Sequence, residues 1–159
     1  MPAKGQVDGG GLSVPGVFVG TFLHFLDPKR RLTIPSEWRE YVGTPPSLYV
    51  LPGVDQKYLF VFPAREMVQR LERIRNLSIA DARARQFARV LGSQSQLAPW
   101  DSQGRIRIKD ELLEFAELRD QVVLAGAIEG FELWNPERWK AVGAVTHSEL
   151  ADAARYVGF

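Results

Sequence analysis

The 159-residue sequence has no cysteine, which excludes disulfide staples and thiolate metal sites and makes a reducing cytoplasm the natural setting. Histidine is nearly as scarce. His24 and His147 are the only two, and each reads as a structural or exposed side chain rather than a catalytic one, so neither a metal site nor a cofactor is expected. No long apolar run occurs. The most apolar segment, VPGVFVGTFLHFL, is broken by Pro15, Gly16, Gly20 and His24 and is too short to span a bilayer. It also lacks a charged leader and a clean cleavage site, so neither a signal peptide nor a membrane partner is expected. The catalytic patterns G-x-S-x-G, G-x-x-x-x-G-K-[ST] and H-E-x-x-H are all missing. Paired acids such as Asp110 and Glu111 stand at a helix start, where capping and the helix dipole account for them. An enzyme with a small-molecule substrate is therefore not the expected reading.

What the chain does hold is a lopsided charge. Its net charge is only +1, yet residues 1–109 carry 16 Lys/Arg against 9 Asp/Glu, and residues 110–159 carry 4 against 10. With 45% hydrophobic residues it can bury a substantial core. The first sixteen residues are polar and Gly-rich and are expected to be a disordered arm.

VFVGTFLHF reads as a first strand. RRLTIP and GRIRIK alternate apolar and polar residues, so each is a half-buried strand. Leu32, Ile34, Ile106 and Ile108 should point inward, leaving Arg105, Arg107 and Lys109 on an outer face. A short helix follows each strand. PSEWREYVG has Pro35 and Ser36 as start signals and Gly43 as a stop, and KDELLEFAEL has Asp110 as its expected N-cap. SLYVLP, YLFVFP, QVVLAG and FELW are further strands, and Asn135-Pro136 opens another helix. The class is α+β.

The sequence repeats itself. Asp27, Arg31, Leu32, Ile34 and Tyr41 stand 74 residues before Asp101, Arg105, Ile106, Ile108 and Phe115, and Val61, Phe62 and Met67 stand 72 before Leu133, Trp134 and Trp139. One two-residue gap in a loop reconciles the copies, which marks an internal duplication. Between them a helical pair is expected. Met67, Leu71 and Ile74 share a face of its first helix. The second helix opens with Ser78 and Asp81 in capping-box spacing, carries Ala84, Phe87 and Leu91 on one stripe, and stops at Gly92. Residues 65–89 hold seven Arg against three acids, which suits either a solvated face with local pairs such as Glu66–Arg70 or a functional basic surface.

In both copies an Asp precedes an Arg by four residues across a tight turn. Each Asp can cap the turn and pair with its own Arg. That leaves a surplus of cations: Lys29, Arg30 and Arg31 around one turn, and Arg105, Arg107 and Lys109 after the other. Such an array suits phosphates and guanine edges, and Arg is the side chain fitted to bidentate reading of guanine.

These residues resemble the MraZ family, bacterial transcriptional regulators built from two AbrB-like swapped-hairpin halves. The resemblance rests on DPKRRLTIPSEWRE and DSQGRIRIKDELLE, two D-x-x-x-R motifs each followed by [LI]-x-[IL] and a short helix. VFVGTF, VLPGVDQKYLFVFP and VVLAGAIEGFELWNPERW add to it, and the similarity covers roughly residues 17–142. It implies a duplicated swapped-hairpin, double-psi-like β-barrel with short helices and a helical pair between the halves. The implied organisation is an arm over 1–16, a first repeat over 17–63, a helical linker over 64–92, a second repeat over 93–142 and a tail over 143–159.

The implied partners are double-stranded DNA, as short G-rich repeats upstream of the division and cell-wall gene cluster, and further copies of the chain in a ring. The implied location is the cytoplasm, at the nucleoid. Lys29, Arg30, Arg31, Arg105, Arg107 and Lys109 are the DNA-binding candidates, with Asp27, Asp101 and Gly104 structuring the loops. Arg30 stands where the family usually has glycine, as at Gly104, and its Cβ argues for a first loop of different shape. An oligomeric scaffold without specific DNA reading and an antitoxin-like regulator are the alternatives. The tail, with Leu150, Ala154 and Val157 on one stripe, reads as an amphipathic helix.

Overall fold

The computed structural model describes residues 17–43, 46–77 and 79–159, so the expected arm and Ser78 lie outside the described residues. The first part of the chain folds as β1 (Thr21–Phe25), β2 (Arg31–Thr33), α1 (Ser36–Val42), β3 (Ser47–Pro52), β4 (Leu59–Pro63) and α2 (Ala64–Arg75), followed by α3 (Ala82–Gln94). The second part gives β5 (Gln96–Pro99), β6 (Arg105–Arg107), α4 (Asp110–Ala116), β7 (Gln121–Gly126), β8 (Phe131–Trp134) and α5 (Pro136–Val142), followed by α6 (His147–Val157). The two parts therefore run through the same order of elements.

Six strands form one antiparallel sheet in the order β1-β7-β8-β4-β3-β5, and β2 pairs with β6 in a separate ribbon. The first strand of each part leaves its own neighbours. β1 lies against β7, with Leu23 opposite Val123, and β5 lies against β3, with Leu97 opposite Tyr49. Swapping the two parts leaves the order unchanged, so β2 and β6 meet on the line relating them, Leu32 opposite Ile106.

The period-two pattern of the strands explains the layers. Leu48, Val50, Leu59, Val61, Leu124 and Leu133 point to one face of the sheet, where they bury Leu32, Ile34, Ile106 and Ile108 from the ribbon. Each such side chain, removed from water, contributes about 1.5–3 kcal/mol. Trp38 of α1 completes this core edge-on to Phe22 and tilted on Phe131, and its indole N–H donates to the Val19 carbonyl at 3.0 Å. On the other face α5 covers Trp134, while α2 and α3 cover Leu51 and Phe62.

Helix ends follow the sequence signals only in part. Gly43 (φ 75°) ends α1, and Asn135 caps α5 by accepting from the Glu137 and Arg138 N–H groups, as expected. Lys109, not Asp110, is the N-cap of α4: its backbone is extended, and Asp110 sits inside the first turn where its charge faces the helix dipole. Gly92 does not stop α3. The helix continues to Gln94 because the Ser95 N–H still reaches the Leu91 carbonyl. Asp81 caps its start by accepting from the Ala84 N–H at 3.1 Å. The first strand is shorter than VFVGTFLHF suggests, since Gly20 (φ 100°) breaks it and Phe18 pairs only as an isolated bridge with Ile128. β5 has no counterpart among the expected strands. Arg70 pairs with Glu129 across the fold at 2.7 Å rather than with Glu66.

Candidate nucleic-acid interface

The two D-x-x-x-R segments form the turns that lead into β2 and β6. Each Asp carboxylate takes three bonds from its own turn. Oδ1 of Asp27 accepts from the Lys29 and Arg31 backbone N–H groups at 2.9 and 2.8 Å, and Oδ2 accepts from Arg31 Nε at 2.6 Å. Asp101 does the same with Gln103 N, Arg105 N and Arg105 Nε at 2.8, 3.0 and 2.8 Å. Backbone bonds then close the turns, Arg30 N to Asp27 O at 2.9 Å and Gly104 N to Asp101 O at 3.0 Å. The first loop is therefore the same shape as the second, contrary to the expectation from Arg30. Arg30 adopts φ 64° beside 76° at Gly104, a left-handed conformation that costs a residue with a Cβ about 1–2 kcal/mol.

The turns are also tied to each other. Ile34 N donates to Gly104 O at 2.9 Å, and Ile108 N donates to Arg30 O at 3.1 Å. Because β2 and β6 are antiparallel, the first turn lies at the Arg107 end of the ribbon and the second at the Thr33 end. Lys29, Arg30, Arg31, Arg107 and Lys109 thus gather at one end of the ribbon, with Arg105 at the other.

The six candidate cations are held differently. Arg31 and Arg105 are partly buried, and each has its Nε fixed by the Asp while its two terminal nitrogens make no hydrogen bond among the described residues. Lys109 turns inward to the Ser95 carbonyl at 3.4 Å. Arg30 is exposed, with Asp110 3.8 Å from its Nε. Lys29 and Arg107 are exposed and form no ion pair among the described residues. Arg31 faces Arg107 across the ribbon. Like charges directly opposite on a sheet are unfavourable, so this pairing suits an anion more than it suits the fold.

The backbone N–H of Arg31 and the Arg31 side chain hold the Asp27 carboxyl below the usual carboxylate range, and Arg105 does the same for Asp101. Both stay ionised at neutral pH and keep their Arg partners fixed.

A family described as "MraZ protein, putative antitoxin-like" matches residues 94–158. The "Transcriptional regulator MraZ" of Finegoldia magna is 30% identical over 139 residues, which are 86% of this chain and 95% of that protein. The protein of the same name in Lactiplantibacillus plantarum is 33% identical, over 87% of this chain and 96% of its own length. That of Roseiflexus sp. strain RS-1 is 36% identical, over 79% and 86%.

The chain belongs to the MraZ family.

One residue beside this MraZ loop pair escapes a reading of the sequence. Arg39 on α1 donates from Nε to the Ile34 carbonyl at 3.0 Å, and its guanidinium lies where a Cβ on Gly104 would be, 2.3 Å from Cζ. It adds a cation to the end of the ribbon that otherwise has Arg105. No motif marks it, because only the pairing of β2 with β6 brings α1 beside the second turn. His24 is structural, its Nδ1 donating to the Thr33 carbonyl at 2.8 Å. His147 opens the exposed helix α6. Among the described residues no cluster of His, Asp and Glu is arranged to hold a metal ion, and no helix is long and apolar enough to cross a membrane.

Proposed function

We propose that this chain is a sequence-specific DNA-binding transcriptional regulator that acts on the promoter of its own division and cell-wall gene cluster, most simply as a repressor. The observation that carries the reading is the pair of Asp-locked arginines. Each Asp fixes one edge of a guanidinium and leaves the terminal nitrogens for a ligand, so little side-chain entropy remains to be lost on binding. Arg31 and Arg105 are then the base readers, suited to guanine O6 and N7 in short G-rich direct repeats. Lys29, Arg30 and Arg107 supply phosphate contacts, joined by Lys109 once it leaves the Ser95 carbonyl, and these give most of the affinity and its salt dependence. The fold that presents them is read as a duplicated AbrB-like swapped-hairpin barrel, with repeats at 17–63 and 93–142, a helical linker at 64–92 and terminal segments at 1–16 and 143–159. Its exchange of β1 and β5 between the two parts supports that assignment. A ring of copies in the cytoplasm, at the nucleoid, multiplies a few weak readers into useful avidity.

The test is fluorescence anisotropy with DNA from upstream of the chain's own gene and with scrambled DNA, across a salt series. Tight, sequence-dependent binding with a steep salt slope is expected. Arg105→Lys keeps the charge but loses the fork, so it should cost about 1–3 kcal/mol on the cognate site and little on scrambled DNA. Equal, weak binding to both DNAs would instead favour a scaffold of the same fold.

A further inference from the structure

The two turns are built alike but supplied with charge differently. At the first, Lys29 and Arg30 stand in the turn itself, and the residue of α4 beside it is Leu113, which is buried and lines the same hollow as Arg30. At the second, the corresponding residues are Gln103 and Gly104, both uncharged, and the residue of α1 beside it is Arg39. Arg39 and Leu113 are themselves counterparts, 74 residues apart like Arg30 and Gly104. One turn therefore combines a loop arginine with an uncharged helix residue, and the other combines a loop glycine with a helix arginine.

The reason is steric. The Arg39 guanidinium lies over Gly104, in the space that a Cβ there would take. Its place is fixed through Ile34: Arg39 Nε donates to the Ile34 carbonyl at 3.0 Å, and the Ile34 N–H donates to the Gly104 carbonyl at 2.9 Å. A side chain at 104 and an arginine at 39 cannot both keep these positions. Arg30 adopts φ 64° in the equivalent place, where the hollow beside it holds Leu113 instead of an arginine. Arg39 is half-buried, and its two terminal nitrogens make no hydrogen bond or ion pair among the described residues. Of the six candidate cations, only Arg105 stands at this end of the ribbon. A base-reading arginine needs phosphate contacts around it to set its register on the duplex.

We infer that each turn carries one accessory cation for the nucleic-acid backbone, supplied by Arg30 from within the first turn and by Arg39 from α1 at the second, and that the two sources exclude each other. Arg39 is then the phosphate contact that positions Arg105. The inference rests on the reading of this chain as a DNA-binding regulator, and it adds a residue that the D-x-x-x-R motif does not contain.

The experiment measures anisotropy of full-length variants with DNA from upstream of the chain's own gene and with a scrambled duplex, across a salt series, beside thermal melts. Arg39→Gln places an amide nitrogen where Arg39 Nε stands, so it keeps a donor for Ile34 and should melt like the parent. It should bind both DNAs several-fold more weakly, with a salt slope shallower by about 1. Gly104→Arg combined with Arg39→Leu transplants the first turn's arrangement onto the second, and should regain the parent's slope and affinity. Gly104→Arg alone sets two arginines in one place and should melt below that double variant. A parent slope in Arg39→Gln would show that Arg39 meets no phosphate. A double variant with a slope steeper than the parent's would show the same, even if Arg39→Gln melted early, and one that stayed shallow would show that the turn cannot supply the cation. Gly104→Arg melting as high as the double variant would overturn the exclusion. A parent that binds both DNAs equally and weakly removes the regulator reading itself, whereas tight cognate binding that Arg39→Gln leaves intact sinks this inference alone.

Discussion

Arg30 spends conformational energy that Gly104, its counterpart, does not. Its φ of 64° should cost about 1–2 kcal/mol, and its exposed contact with Asp110 at 3.8 Å returns little of that. Arg30→Gly should therefore raise stability by about 1 kcal/mol in urea denaturation, after allowing for the extra freedom of glycine in the unfolded chain. An unchanged or lower midpoint would show that the Arg30 side chain stabilises the loop in some other way. The loop aspartates carry a second consequence. Hydrogen bonds from Arg31 and Arg105 set the Asp27 and Asp101 pKa values below the ordinary 3.8. A carboxylate lowered in the folded state stabilises above its unfolded pKa and loses that contribution as pH falls through the folded value. A double Asp27→Asn, Asp101→Asn variant should accordingly lose less stability than the parent between about pH 4 and pH 2, as denaturation midpoints across that range would show. Both aspartates and both arginines were legible in the sequence, because a four-residue turn is local chemistry. Arg39 was not, since its role depends on a pairing between strands whose partner residues are 72 to 76 apart in the chain.

Elements follow the same division. The strands SLYVLP, QVVLAG and FELW appear with the expected ends because β-branched and apolar residues crowd them. β5, with the sequence Gln-Leu-Ala-Pro, has neither length nor alternation, and it is a strand only because β3 offers it an edge. Trp134 shows how an element joins the two layers. It is 4% exposed and stacks on Tyr58 at 4.7 Å, with Trp139 of α5 at 5.9 Å, while its indole N–H donates to Glu132 at 2.8 Å. Burial of Glu132 raises its pKa, with nearby Asp55 adding to the rise. Trp134→Ala should cost about 3–5 kcal/mol of stability, measured in urea, through the cavity it leaves between β8 and α5. A variant that kept its stability but failed to assemble would place Trp134 at an interface instead.

At the scale of the whole molecule, the sequence by itself determined the duplication, the apolar alternation of β2 and β6, the cation surplus and the D-x-x-x-R turns, because each of these is written in neighbouring residues. It also set the charge imbalance between the first 109 residues and the last 50. Only the tertiary structure decided that β1 and β5 exchange partners and that five of the six candidate cations gather at one end of the ribbon. The reason is physical. A turn or a cap is closed by groups a few residues apart, whereas strand order and helix docking are settled by which distant apolar faces exclude water together, and that competition is not recorded at any single position.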